Sequence, residues 1–334
     1  MGVLQGVAVA AVMTIGALAT GASATTVQTG ATSFWVLGDS LSDPGNVFAA
    51  TRGATPPSPP YFEGRFSNGP VWSERLSGAL RAQGRATGNV AFGGARAVTD
   101  TDAVPDLAAQ VQIIAPAIRD RGGARPVAAL WFGTNDLFGA SERPGKVART
   151  AAAAVTQGAR SLAGAGVRDF VIFNLPDLGD TPRYALFDPA AAKAATRSSR
   201  QFNATLDEGI AGLRGEGLNV KRIDIASVFD DLQANPGRYG VKDAVLPCLF
   251  PSAAAAQAFG QSQACGAETA GDRAFFDSVH PNATVHREIG NLAEAAIAPI
   301  PLPASSFLLG GALLALIGFR GRRLSGQTRP RSCV

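Results

Sequence analysis

Short continuous apolar runs separated by longer amphipathic stretches set the pattern of this 334-residue chain. Runs of strand length fall at Phe34–Leu37, Val127–Phe132, Phe170–Phe173 and Val220–Ile225, with a weaker one near Val90. Between them, apolar positions recur at helical spacing over about Val71–Ala82, Leu107–Arg119, Lys146–Ala163 and Ala190–Leu213. A strand that is apolar at every position, rather than at every second one, is buried on both faces. Such strands alternating with helices predict an α/β fold, a parallel sheet of about five strands covered on both sides. Ligands of such sheets bind beyond the carboxyl ends of the strands. No internal repeat breaks the order, and the length suits one large domain.

Two segments do not fit the alternation. Thr51–Phe62 contains Pro56-Pro57-Ser58-Pro59-Pro60 and reads as a stiff loop beside the end of the first strand. Asp230–Asp272 has little periodicity and reads as a lid-like excursion; shaping a substrate pocket and simple packing are equally open for it.

The ends differ from the body. Residues 1–24 carry no charged side chain and close in Ala22-Ser23-Ala24, the small-x-small pattern of a signal peptide cut before Thr25. The usual basic residue ahead of the apolar stretch is absent. Near the other end, Leu302–Phe319 is uncharged and Arg320-Gly321-Arg322-Arg323 follows directly. As a helix that apolar stretch reaches about 27 Å, close to the hydrocarbon thickness of a bilayer. The arginines would stay cytoplasmic and leave the body outside. Ile300-Pro301-Leu302-Pro303-Ala304 resembles the Pro-Leu-Pro-Ala variant of bacterial PEP-CTERM sorting tails. That resemblance implies processing by an exosortase-like transpeptidase, while a plain membrane anchor is the alternative. The chain thus divides into residues 1–24, a body over 25–298 and a tail over 299–334. The expected location is the periplasm, cell surface or extracellular matrix.

Charge follows the same division. Setting the five arginines of the last fifteen residues against the formal net charge of +4 leaves a body near −1. No basic stripe interleaved with aromatics remains, which excludes the pattern of a nucleic-acid binder. Three cysteines fit an oxidising compartment: Cys248 and Cys265 in the irregular segment, and Cys333 in the tail. A disulfide between the first two is expected, two buried free thiols being the alternative. No His/Cys cluster has metal-ligand spacing, so neither a metal nor a cofactor is expected.

Candidate chemistry sits at the strand ends. The first apolar run stops in Gly38-Asp39-Ser40, which leaves a serine at the sheet edge. Leu41-Ser42-Asp43-Pro44 reads as a helix start capped by Ser42 or Asp43. Only two histidines exist, His280 and His286. His280 follows Asp277 by three residues, a spacing that lets the carboxylate fold back onto the ring N–H. A serine nucleophile needs such a base, and the base needs such a partner. His286 reads as a surface or packing residue on a helix capped by Asn282. Gly93-Gly94 and Gly133-Thr134-Asn135 follow other apolar runs. Backbone N–H groups and an Asn amide there are the neutral donors an oxyanion needs.

Together these blocks resemble the SGNH or GDSL lipases and esterases, which carry Ser, Gly, Asn and His in this chain order. The resemblance implies Ser40 as nucleophile, His280 as base and Asp277 as its partner. It also implies an oxyanion hole from the N–H groups of Ser40 and Gly94 and the side chain of Asn135; Gly94 is chosen over Gly93 for its position before Ala95. The implied fold is a three-layer, flavodoxin-like α/β/α sandwich. Gly64–Trp72 and Asn174–Pro182 are similar to segments of the larger bacterial and plant branch, which includes phospholipases, lecithinases and hemolysins. The G-x-S-x-G elbow of the α/β-hydrolases is absent around Ser40. The expectation is an exported serine ester hydrolase acting on an ester or lipid. An acyltransferase with the same site, and a non-catalytic surface protein with this fold, remain alternatives.

Overall fold

The computed structural model of the protein describes residues 30–138, 143–266 and 269–298. The expectations for residues 1–24 and 299–334, including the sorting motif, the apolar segment and Cys333, lie outside the described residues. Among the described residues no helix is long and apolar enough to cross a membrane.

Strand β1 (Ser33–Gly38) leads through a turn into a short helix α1 (Asn46–Ala50). Then come α2 (Trp72–Ala82), β2 (Ala86–Asn89), α3 (Leu107–Arg121), β3 (Pro126–Trp131), α4 (Thr134–Phe138), α5 (Pro144–Ala163) and β4 (Asp169–Phe173). The remainder adds α6 (Pro182–Ala185), α7 (Pro189–Gly215), β5 (Asn219–Ile223), α8 (Ile225–Ala234), β6 (Asp243–Pro247), α9 (Ala253–Ala258), β7 (Arg273–Phe275) and α10 (Ala283–Ile297).

The main sheet has five parallel strands in the order β2-β1-β3-β4-β5, the flavodoxin-like order. The path runs outward from β1 to β2, then reverses through β3 to β5. Right-handed crossovers therefore put α2 on one face and α3, α5 and α7 on the other. Helix α10 packs against α2 and completes the sandwich. Every residue of β1 and β3 is buried, which is why those strands carry unbroken apolar runs.

Register sets the position of everything functional. Gly38 at the end of β1 pairs with Trp131 at the end of β3. The chain therefore leaves both strands side by side at the reversal point of the sheet, where ligands of this fold class bind.

Two local expectations shift. The weak strand near Val90 ends just before it, at Ala86–Asn89; its residues are all half-buried, as suits a sheet edge. No helix begins at Leu41–Pro44. Ser42 N–H closes a turn on Asp39 O (3.0 Å), and the helix starts at Asn46 after Gly45, whose φ of 110° only glycine adopts freely. Asp43 still serves the helix start, accepting from the N–H groups of Gly45 and Val47. Ser42 instead accepts from Trp72 Nε1 at 3.0 Å.

The segment Asp230–Asp272 is more ordered than its composition suggests. It holds β6, which pairs in parallel with β7, together with α9 and a disulfide joining Cys248 to Cys265.

Candidate active site

Ser40 lies in the turn after β1, and His280 lies 240 residues later in the turn between β7 and α10. The fold brings Ser40 Oγ to 2.8 Å from His280 Nε2. His280 Nδ1 is 2.7 Å from Asp277 Oδ2. A spacing of three achieves this because Asp277 also caps its own turn. Its Oδ1 accepts from the N–H groups of Val279 (2.9 Å) and His280 (2.8 Å). Phe66 packs over the imidazole with ring centroids 5.2 Å apart.

Electrostatics follow from these contacts. Burial opposes charge on Asp277, yet His280, Tyr61 and the Val279 N–H hold its carboxyl below the usual carboxylate range. Burial also opposes charge on His280, but the Asp277 carboxylate outweighs it and raises the imidazole above its ordinary value. The other histidine is different in kind. His286 is buried within α10, among the described residues neither ring nitrogen has a hydrogen-bond partner, and burial pulls its pKa down to about 3. It is a neutral packing residue.

The glycine turn after β2 stands beside this relay. Gly93 N–H donates to Asp43 Oδ2 at 2.9 Å. Gly94 has φ 88°, and among the described residues neither its N–H nor that of Ser40 has a protein acceptor. Asn135, in the first turn of α4, donates from Nδ2 to Ala95 O at 2.9 Å, so one of its two amide protons is engaged. The next residue, Asp136, accepts from the N–H groups of Ala97 and Val98 and ties the same loop to α4.

A largely apolar pocket opens beside Ser40 and His280, walled by Phe138, Leu178, Phe229 and Phe275 among others. Among the described residues none of Asp230–Asp272 borders it. That excursion acts on the site from behind. Cys248 and Leu249 donate their N–H groups to the carbonyls of Phe275 and Phe276, the two residues before Asp277. The lid expectation gives way to the packing one for this pocket.

Sequence reasoning missed three residues here. Tyr61, in the proline-rich loop, donates its phenol O–H to Asp277 Oδ2 at 2.6 Å. Asp43 and Asp136 anchor the glycine loop. Only the loop's position near the nucleophile hinted at the first; Asp43 was read only as a helix cap, and nothing local marked Asp136. Among the described residues no group of three or more His, Cys, Asp or Glu is arranged to hold a metal ion.

A serine hydroxyl, an imidazole and a carboxylate in line can move a proton off the hydroxyl as it attacks an electrophile. The chain is similar to known proteins. The family model for GDSL-like lipase/acylhydrolase matches residues 35–293. The chain is 31% identical over 219 residues to a phosphatidylcholine-sterol acyltransferase of Aeromonas hydrophila, covering 64% of each chain. It is 27% identical over 260 residues to a thermolabile hemolysin of Vibrio parahaemolyticus, covering 76% of this chain and 60% of that one. The match thus spans less than two thirds of either relative. A solved structure of a member of the lipolytic protein G-D-S-L family from Veillonella parvula overlays 78% of the chain and 95% of its own, at 13% identity and a TM-score of 0.41.

Proposed function

Since this chain belongs to the GDSL-like lipase/acylhydrolase family, we propose that it is an exported serine ester hydrolase working through an acyl-enzyme on Ser40. The observation that carries the reading is the continuous relay Ser40–His280–Asp277, with contacts of 2.8 and 2.7 Å.

In the first half-reaction Ser40 Oγ attacks the ester carbonyl carbon as His280 Nε2 takes its proton. Asp277 keeps Nδ1 protonated and stabilises the imidazolium. The carbonyl oxygen becomes an oxyanion and accepts from the free N–H groups of Ser40 and Gly94 and the amide of Asn135. The imidazolium then protonates the leaving alcohol as the C–O bond breaks. In the second half a water molecule attacks the acyl carbon, His280 again takes the proton, and Ser40 is regenerated with release of the acid.

Replacing Ser40→Ala lowers hydrolysis of a p-nitrophenyl ester by at least about 10³-fold in this reading. Retained activity in that variant overturns it. Reaction of Ser40 with a fluorophosphonate separates the enzyme from a non-catalytic protein of the same fold.

A second reading keeps the acyl-enzyme and changes the acceptor to an alcohol. It is favoured by the relative named for acyl transfer to a sterol. Adding an alcohol to the same assay and measuring new ester against free acid decides between them. Export is supported by the Cys248–Cys265 disulfide, a bond of oxidising compartments, and by the signal-like residues 1–24. Sequencing of the secreted protein is expected to begin at Thr25. Handling of the tail by an exosortase-like enzyme belongs to the same proposal.

A further inference from the structure

We propose that Tyr61 is a positioning residue of this relay: its phenol fixes the Asp277 carboxylate and restrains the base strength of His280. The proposal rests on the ester-hydrolase reading above and adds to it a residue outside the Ser, Gly, Asn and His blocks.

Among the described residues Asp277 accepts four hydrogen bonds. The two at Oδ1 come from within its own turn, from Val279 and His280 N–H. The two at Oδ2 come from His280 Nδ1 at 2.7 Å and from Tyr61 Oη at 2.6 Å. Among the described residues Tyr61 is thus the one side chain that reaches this carboxylate from a distant segment, 216 residues away. Among the described residues Tyr61 does not line the pocket, and its hydroxyl meets the relay at Asp277.

The phenol is itself held. Its ring meets Phe276 edge-on at 5.1 Å and Phe66 at 6.2 Å. Its N–H donates to Pro57 O, and its carbonyl accepts from Ser58 Oγ at 2.6 Å. The proline-rich segment therefore presents the hydroxyl from a backbone with little freedom to withdraw it. Burial and the Asp277 charge both push the phenol proton's dissociation far above its ordinary value, so Tyr61 stays a donor.

Two donors on one oxygen compete. A phenol bound to Oδ2 draws charge from the oxygen that faces the imidazolium, and so weakens the stabilisation His280⁺ receives. The groups facing His280 are Asp277 on its own turn, Asp39 from the end of β1 and His286 from α10. His286 is neutral, and Asp136 reaches His280 only through Asp39. Removing the phenol leaves the burial of the imidazole as it was and returns charge to Asp277 Oδ2, which raises His280. The expected sign is upward.

The test uses Tyr61→Phe in the full chain. The ring of His280 is followed by NMR against pH, with buried His286 as the one other imidazole to assign. The expected midpoint rises by roughly half to one pH unit, and the acid limb of kcat/KM moves with it. The expected kcat falls several-fold while KM is unchanged. In an Asp277→Asn background the same change costs nothing further. An unmoved midpoint, or losses from Tyr61→Phe and Asp277→Asn that simply multiply, overturns the proposal. Should Tyr61→Phe not fold, 3-fluorotyrosine at position 61 keeps the shape and strengthens the donor; the midpoint must then fall, and a midpoint that stays put overturns the idea. Wild-type protein whose Ser40 ignores a fluorophosphonate would instead refute the ester-hydrolase reading, and the NMR midpoint would still decide the coupling.

Discussion

Asp39 precedes Ser40 and carries a carboxyl with one oxygen bonded to Leu41 N–H at 3.0 Å. The other oxygen has no partner among the described residues. Burial pushes its pKa up to about 7, more than the Leu41 N–H can offset. In the unfolded chain the same group ionises near about 4. Between those values the unfolded state binds fewer protons than the native one, so native stability falls as pH rises. The slope is at most about 1.4 kcal/mol per pH unit. Asp39→Asn keeps the Leu41 contact and removes the ionisation. Urea unfolding of both proteins at about pH 4.5 and about pH 6.5 should show the wild type losing stability relative to the variant; parallel curves would mean that Asp39 is charged in the folded protein. At this scale, legibility followed scarcity. With two histidines in the chain, one of them after an Asp-x-x spacing, His280 and Asp277 were readable. Ser40 was readable from an abrupt strand end. Tyr61, Asp136 and the contact of Asp43 with the glycine loop were not, because their partners lie 216, 39 and 50 residues away. Gly94 was chosen over Gly93 only for its position before Ala95; the contact that engages the Gly93 N–H comes from Asp43, 50 residues away.

Strands buried on both faces were legible as elements, since only an apolar side chain fits at each of their positions. The edge strand β2, Ala86-Thr87-Gly88-Asn89, was not, because its half-buried residues have no such constraint. The helix start after Ser40 was misread by a few residues, since the capping residue Asp43 reaches forward past Pro44 and Gly45. The excursion between β5 and β7 was legible only through its cysteines. Its disulfide closes a loop with a sequence separation of 17 residues. The chain-entropy estimate for a loop of this size is roughly 3 kcal/mol. Replacing both cysteines, Cys248→Ser with Cys265→Ser, should therefore lower the unfolding free energy by about that amount in urea titrations. Because no described residue of Asp230–Asp272 borders the pocket, kcat well below the unfolding transition should be largely retained. A variant as stable as the wild type would show that the unfolded chain gains nothing when the loop is opened.

The whole molecule faces one mechanical problem: its nucleophile sits near one end of the chain, its base near the other, and neither lies on the other's element. Residues Phe66–Trp72 solve it as a clasp. Trp72 Nε1 donates to Ser42 Oγ, just beyond the nucleophile. Phe66 lies over the His280 ring. Ser67 Oγ donates to Pro281 O at 2.9 Å, and Asn68 Oδ1 accepts from Ala283 N–H at 2.8 Å. The backbone approaches closely enough that a Cβ on Gly69 would lie 2.6 Å from the Ala283 methyl, a distance real side chains do not tolerate. Ala283 opens α10, three residues after His280, so relief of that clash must shift either the clasp or the start of the helix. Gly69→Ala is therefore expected to destabilise the fold by about 1–3 kcal/mol. It should also slow fluorophosphonate labelling of Ser40 strongly, because a displacement of about 1 Å between reacting groups costs on the order of 10²-fold. The compensating change tests the cause. With Ala283→Gly added, the nearest atom to the new methyl becomes the Ala283 Cα position at 4.0 Å, an ordinary contact. Both melting temperature and labelling rate should then recover most of their loss. If the double variant stays as impaired as Gly69→Ala alone, close packing at this point is not what holds serine and histidine together.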